Sequence, residues 1–158
     1  MSETHTTPDP AAAWSQIEAQ HALRIHLAAD AQPLNKAALF DALAAAAITS
    51  VLVTFDGAGD SGQIEAIDVT SGQEPTALPT GDVEIVTPAW DGSGLERRCC
   101  NMRDAIEALA YAFLEETHDG WENNEGAFGE FRFDVMERTI ELDYNERIET
   151  SQHHGHSW

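Results

Sequence analysis

Apolar and polar positions recur along this chain with two periods, and each change of period marks an element. Between Met102 and Thr117 the period is helical. Met102, Ile106, Leu109, Ala110, Phe113 and Leu114 fall at spacings of three and four and share one face, with Glu107, Glu115 and Glu116 on the other. Asn101 stands at the N-cap position, Asp104 suits the positive end of the dipole, and Gly120 is a natural stop. From Glu130 the period becomes two: Phe131, Phe133 and Val135 alternate with polar neighbours. Beyond a turn at Glu137-Arg138, Ile140, Leu142 and Tyr144 alternate with Glu141, Asp143 and Asn145. That pattern predicts an antiparallel hairpin with one apolar face.

The earlier part of the chain gives weaker patterns. Met1 to Pro10 has no periodicity and is expected to be a disordered tail. Trp14, Ile17, Ala19, His21, Ile25 and Ala28 form an imperfect stripe, predicting a helix from Ala11 that stops ahead of Gln32-Pro33, because the residue before proline avoids the helical region. A second helix is predicted from about Asn35, a possible N-cap, to Ala47, with Leu39, Phe40 and Leu43 on its buried face. Ser50 to Phe55 reads as a half-buried strand, Asp56 to Gly62 as a glycine-rich turn, and Gln63 to Val69 as a second strand. Ile64 and Ile67 break the period of two, so a bulge is expected between them. Ser71 to Gly81 reads as a polar loop, Asp82 to Thr87 as a third strand, and Pro88 to Cys100 as irregular chain. The order is helix, helix, three strands, helix, two strands. It predicts an α+β fold, an antiparallel sheet of about five strands with helices packed on one face. One domain is expected over residues 11–150, with tails at 1–10 and 151–158.

Charge narrows the partners. The chain has 28 acidic residues against 8 basic ones, a formal net charge of -20, and its one lysine is Lys36. With 42% hydrophobic residues it can still bury a core. Such a surface repels phosphate backbones and anionic lipid heads, so neither nucleic acid nor a membrane is expected as a direct ligand. It attracts cations, basic proteins and proteins that grip DNA; the same composition also serves solubility in a salty medium. Cys99 and Cys100 are neighbours, a spacing poorly suited to a disulfide and without a CxxC zinc pattern. No apolar run approaches the roughly 18 residues of a membrane span, and Met1 to Pro10 lacks the features of a secretion signal, so a reducing, cytoplasmic location is expected.

Two glycine-rich acidic loops are the candidate chemistry, Asp56 to Gly62 and His118 to Gly129. The first lacks the lysine and hydroxyl of a phosphate-binding loop and the position-twelve glutamate of a calcium loop, where Ile67 falls. Ser61 is not in a nucleophile elbow, and no catalytic residue is assigned. If both hairpins share one sheet, the loops meet at one edge. Asp56, Asp60, Glu65, Glu122, Asn123, Asn124 and Glu125 then offer hard oxygen ligands suited to calcium or magnesium, beside His118 and Trp121. The competing reading is structural: Asp and Asn bond their own backbone in turns, glycine supplies positive φ, and Trp121 with Phe128 anchors the loop. His118 could act as a base or simply close the helix. Arg97-Arg98 could lower a neighbouring thiol pKa, against the plainer alternative of burial. The three histidines after Ser151 form a weak candidate metal tail.

Phe55-Asp56-Gly57-Ala58-Gly59-Asp60-Ser61-Gly62-Gln63-Ile64-Glu65, Gly120-Trp121-Glu122-Asn123-Asn124-Glu125-Gly126 and the hairpin through Asp143-Tyr144-Asn145-Glu146-Arg147 together resemble a family of small acidic bacterial proteins of unknown function. Relatives of that kind are often met in phages and mobile elements. The resemblance spans roughly Asn35 to Arg147, implies that the two loops belong to one unit, and supplies no activity. The leading expectation is a non-enzymatic interaction module without a cofactor, plausible as a mobile-element accessory protein. It would offer Glu130, Asp134, Glu141 and Asp143 to a basic partner, in its sharpest form as a mimic of DNA. The alternative is a divalent-metal-binding protein or metal-dependent enzyme using the two loops.

Overall fold

The computed structural model describes residues 9–149 and 151–158. Its first element corrects the expected pair of helices. Helix α1 runs unbroken over Pro10–Ala45, 36 residues with Pro33 in its interior. Pro10 occupies the first turn, where a missing N–H costs nothing, and the Asp9 carboxylate accepts a hydrogen bond from the Ala11 N–H. Asp9 and Pro10, expected in the N-terminal tail, start the helix instead, and the rest of that expected tail lies outside the described residues. Pro33 is tolerated because its neighbours are held from outside the helix. Gln32 donates to the Ala112 carbonyl at 3.4 Å. The Asn35 side chain donates to the Val86 carbonyl at 2.9 Å and accepts from the Val86 N–H at 2.7 Å, the two bonds a neighbouring strand would make. Asn35 is thus a tether to strand β4 (Asp82–Pro88), not the cap of a new helix.

Five antiparallel strands form the main sheet in the order β3-β2-β1-β6-β7. Strand β1 (Ser50–Ala58) lies at its centre, between β2 (Ser61–Ser71) and β6 (Ala127–Asp134). The edges are β3 (Glu74–Thr76), inside the segment expected to be loop, and β7 (Thr139–Glu146). The first hairpin is tighter than expected. Gly59 and Asp60 both have positive φ, 61° and 65°, so a two-residue turn suffices and Asp56 to Ala58 belong to the strand. The predicted bulge is present: Thr54 pairs with Ala66 and Phe55 with Ile64, leaving Glu65 unpaired. The Ile64 N–H, turned off the regular ladder there, is taken up by the Tyr111 hydroxyl at 3.0 Å.

Strand β4 pairs with β5 (Leu95–Asn101) in a separate two-stranded sheet. Strand β5 falls in the stretch expected to be irregular, because only Cys100 in it is buried and its side chains show no apolar alternation. Helix α2 (Met102–Thr117) has the predicted bounds, and the Asn101 side chain caps it by accepting from the Asp104 N–H at 2.8 Å. Strands β6 and β7 form the predicted hairpin.

These elements make the expected α+β fold with one covered sheet face. Val51, Val53 and Phe55 of β1 and Phe131 and Phe133 of β6 pack against Leu39, Phe40 and Leu43 of α1 and Ile106, Leu109 and Leu114 of α2. Arg138, in the turn after β6, ties the sheet to α1 by pairing with Asp41 at 2.9 Å and donating to the Ala37 carbonyl at 3.2 Å. Among the described residues no second layer covers the opposite face of the main sheet. Pro33 is exposed and makes no packing that alanine would lose, whereas it removes a helical N–H. Pro33→Ala is expected to raise the unfolding free energy by about 1–3 kcal/mol, read as a higher urea midpoint at unchanged slope.

Candidate functional site

The two glycine-rich loops do meet, and they meet through backbone. The Gly59 N–H donates to the Asn124 carbonyl and the Asp60 N–H to the Glu122 carbonyl, each at 3.0 Å. Trp121 is buried, and its ring lies directly on Gly57 and Gly62, where a Cβ at either position would collide with it. Phe55 meets the same indole edge-on, with ring centroids 5.5 Å apart and planes at 83°. Gly126 has φ 78° and sits so close to the Gly57 carbonyl that no side chain fits. These glycines serve close approach of chain to ring and chain to chain.

Arg147 closes the junction. It donates to the Gly57 carbonyl at 3.0 Å, pairs with the Asp56 carboxylate at 2.9 Å, and lies 4.8 Å from the Phe128 ring centroid. His118, at the end of α2, stacks on Tyr144 with centroids 3.6 Å apart. Burial holds the Tyr144 phenol above its ordinary pKa, with the charges of Glu146 and Glu122 adding to the effect.

The predicted ligand residues are therefore gathered in the chain but not aimed at one point. Asp56 is paired with Arg147, and Asp60 and Asn124 hold left-handed turn positions at φ 65° and 57°. Glu65 sits at the bulge and accepts from Gln63 at 3.2 Å. Glu122 contributes its carbonyl, Asn123 makes a turn bond to Gly120 at 3.0 Å, and Glu125 is exposed at the loop tip. Trp121, grouped with them as a flanking ligand contact, is core. Among the described residues no three His, Cys, Asp or Glu side chains group as a metal ion would require.

The four acids expected on one face of the last hairpin are all found there, on the uncovered side of the sheet. Glu130 lies directly opposite Asp143, Arg132 opposite Glu141, and Asp134 opposite Thr139. Across β1 the same face continues through Asp56, Thr54, Leu52 and Ser50, and Asp68 follows beside Leu52 on β2. Like charges directly opposite each other destabilise a sheet. Arg132 offsets this by bonding Glu130 at 2.7 and 3.0 Å. That hydrogen bond, then the charges of Glu130, Asp143 and Glu141, raise its pKa. Near the β6–β7 turn the face dips into an open hollow of about 590 Å³ lined by Leu52, Arg132, Asp134, Met136 and Glu141, with Met136 exposed. Asp134, Glu137 and Glu141 line this hollow beside Arg132.

Sequence reasoning missed Arg147 and Tyr111 as organising residues. Arg147 had one signal, a lone base after a strongly acidic hairpin; Tyr111 had none beyond its place near the buried helix face. At Cys100 the expected thiol activation is corrected. Cys99 is exposed, whereas Cys100 is buried, and burial raises its thiol pKa more than the nearby Arg98 lowers it.

Fold and faces together define a small α+β domain with one sheet face covered and the other open and acidic. The chain belongs to a family of unknown function: residues 31–158 match the family model described as Family of unknown function (DUF6878). No curated protein and no solved structure matches it. The family match includes both loops and both hairpins, and it starts at Ala31, which is also the first buried residue of α1. No helix among the described residues is long and apolar enough to cross a membrane.

Because Trp121 is a core residue, Trp121→Ala is expected to lower the unfolding free energy by about 3–5 kcal/mol. Glu125→Ala at the exposed tip should change it by no more than about 0.5 kcal/mol in the same urea titration. A thiol reagent at neutral pH should label Cys99 within minutes and Cys100 only when the protein is unfolded, counted by intact mass.

Proposed function

We propose that this protein is a non-enzymatic interaction module whose open, acidic sheet face docks a basic protein partner. The observation that carries this reading is the register of the last hairpin, which sets Glu130, Asp134, Glu141 and Asp143 together on the face of the main sheet that neither described helix covers. Leu52 and the exposed Met136 add apolar surface at the turn end of that face, beside its carboxylates. In its sharpest form the partner is a DNA-binding protein, for which rows of carboxylates stand in for phosphates, and an accessory protein of a mobile element is a setting that such a role suits. Attraction of this kind speeds association and weakens with salt.

A fluorescent arginine-rich helical peptide is a suitable probe. The variant Glu141→Lys with Asp143→Lys is expected to weaken its binding at least about tenfold at physiological salt. Asp82→Lys with Glu96→Lys makes the same change of net charge on the two-stranded sheet and should weaken binding less than about threefold. Equal loss in both variants, or no binding by the unaltered protein, would overturn the assignment of this face.

A further inference from the structure

An unpaired strand edge offers its N–H and carbonyl groups to any extended chain, and this molecule blunts most of its own edges. Strand β3 is three residues long and contains Pro75. Beyond β3, strand β2 is bulged at Glu65, and the Ile64 N–H is taken by the Tyr111 hydroxyl. On β4 the Asn35 side chain occupies both the N–H and the carbonyl of Val86. Strand β5 carries Arg97 and Arg98, which repel a basic strand. Strand β7 has none of these devices. It runs eight residues, Thr139–Glu146, in unbroken register, with no proline, glycine or base.

Two bonds fix which way its backbone groups point. The Val135 N–H donates to the Thr49 carbonyl and the Arg147 N–H to the Gly126 carbonyl, which phases the ladders on both sides of β6. Thr139, Glu141, Asp143 and Asn145 therefore turn their N–H and carbonyl groups toward β6, and Ile140, Leu142 and Tyr144 turn theirs outward. The side chains of those same three residues lie on the covered face. There they are only half-buried, whereas Phe131 and Phe133 opposite them on β6 are each 1% exposed, so the core thins out at this edge. Glu141 and Asp143 lie on the open face, and among the described residues neither makes an ion pair.

We infer that the β7 edge is a strand-addition site, which takes an extended segment of the partner, with Lys or Arg alternating with apolar residues, as a sixth antiparallel strand. The inference rests on the basic-partner reading above and names the form in which part of such a partner binds. Main-chain hydrogen bonds to Ile140, Leu142 and Tyr144 hold the segment. Its apolar side chains continue the covered face over those half-buried residues, and its bases lie opposite Glu141 and Asp143. The same two acids select against a second copy of this chain. In a symmetric pairing of β7 with another β7 centred on Leu142, each Glu141 meets an Asp143; centred on Asp143, that residue meets its own copy. Asp143 already lies opposite Glu130 on β6, so a base arriving on its other side relieves a repulsion and a further acid adds to it.

The probe is a fluorescent octapeptide alternating Lys and Val, titrated into the full chain at physiological salt. Two further forms keep its charge. One is N-methylated at every Val, whose N–H groups meet β7 in antiparallel addition; the other is N-methylated at every Lys, whose N–H groups point away. The Val-methylated form is expected to bind at least about tenfold more weakly than the parent, and the Lys-methylated form within about threefold of it. Saturating parent peptide is also expected to slow amide exchange at Leu142 and Tyr144 at least about tenfold, read by NMR. Equal binding by the two methylated forms, or a loss confined to the Lys-methylated one, would overturn the proposal. Absence of binding by the parent peptide would do the same, and the arginine-rich helical probe, which needs no strand edge, then reports separately on the acidic face.

Discussion

The seat of Trp121 on Gly57 and Gly62 is the contact on which the rest of the sheet depends. It fixes where the chain leaves α2 and where β6 begins, because Gly126 and Ala127 follow at once against Gly57. That end of the β1–β6 ladder sets its register. Since side chains alternate with a period of two, a slip of one residue would turn Phe131 and Phe133 outward and bring Glu130 and Arg132 against the helices. Arg147 reinforces the same point from the far side, by holding the Gly57 carbonyl and the Asp56 carboxylate together. A loop whose composition suggests a ligand site is in the folded chain an anchor for strand pairing.

The parts legible from sequence are those where burial imposes a clean period. Helix α2 and the β6–β7 hairpin each bury one face against the core, so their apolar spacing predicts their type, and for α2 the extent as well; β6 begins at Ala127, inside the segment read as loop. Where burial is slight or shared, the pattern fails. Strand β5 buries only Cys100 and reads as irregular chain. Helix α1 crosses Pro33 because Gln32 and Asn35 are bonded to α2 and β4, and bonds across such distances leave no local trace. The union of the two acidic loops could be anticipated from the hairpins, but their contact by carbonyl and N–H could not. The backbone carries no residue-specific signal for which strangers it will meet.

One alternation serves two ends in the last hairpin. The residues that face inward complete the core, and the intervening acids give the open face its field. A charged outer row therefore needs no separate architecture; it is what the pleat leaves over once the apolar positions are satisfied. Arg132 limits the repulsion this creates by lying across from Glu141 and bonding Glu130.

The central position of β1 also sets the order in which the molecule can be made. Its partner β2 follows after a two-residue turn, whereas its other partner, β6, arrives only after β4, β5 and α2 have been synthesised. Closing the sheet is therefore a non-local step, and such steps set folding rates. Until it occurs, β1 has one edge without a partner, a template on which another chain could pair. The acids that alternate along β6 and β7, and Asp56 and Asp68 on the first hairpin, keep nascent chains of like charge apart during that interval.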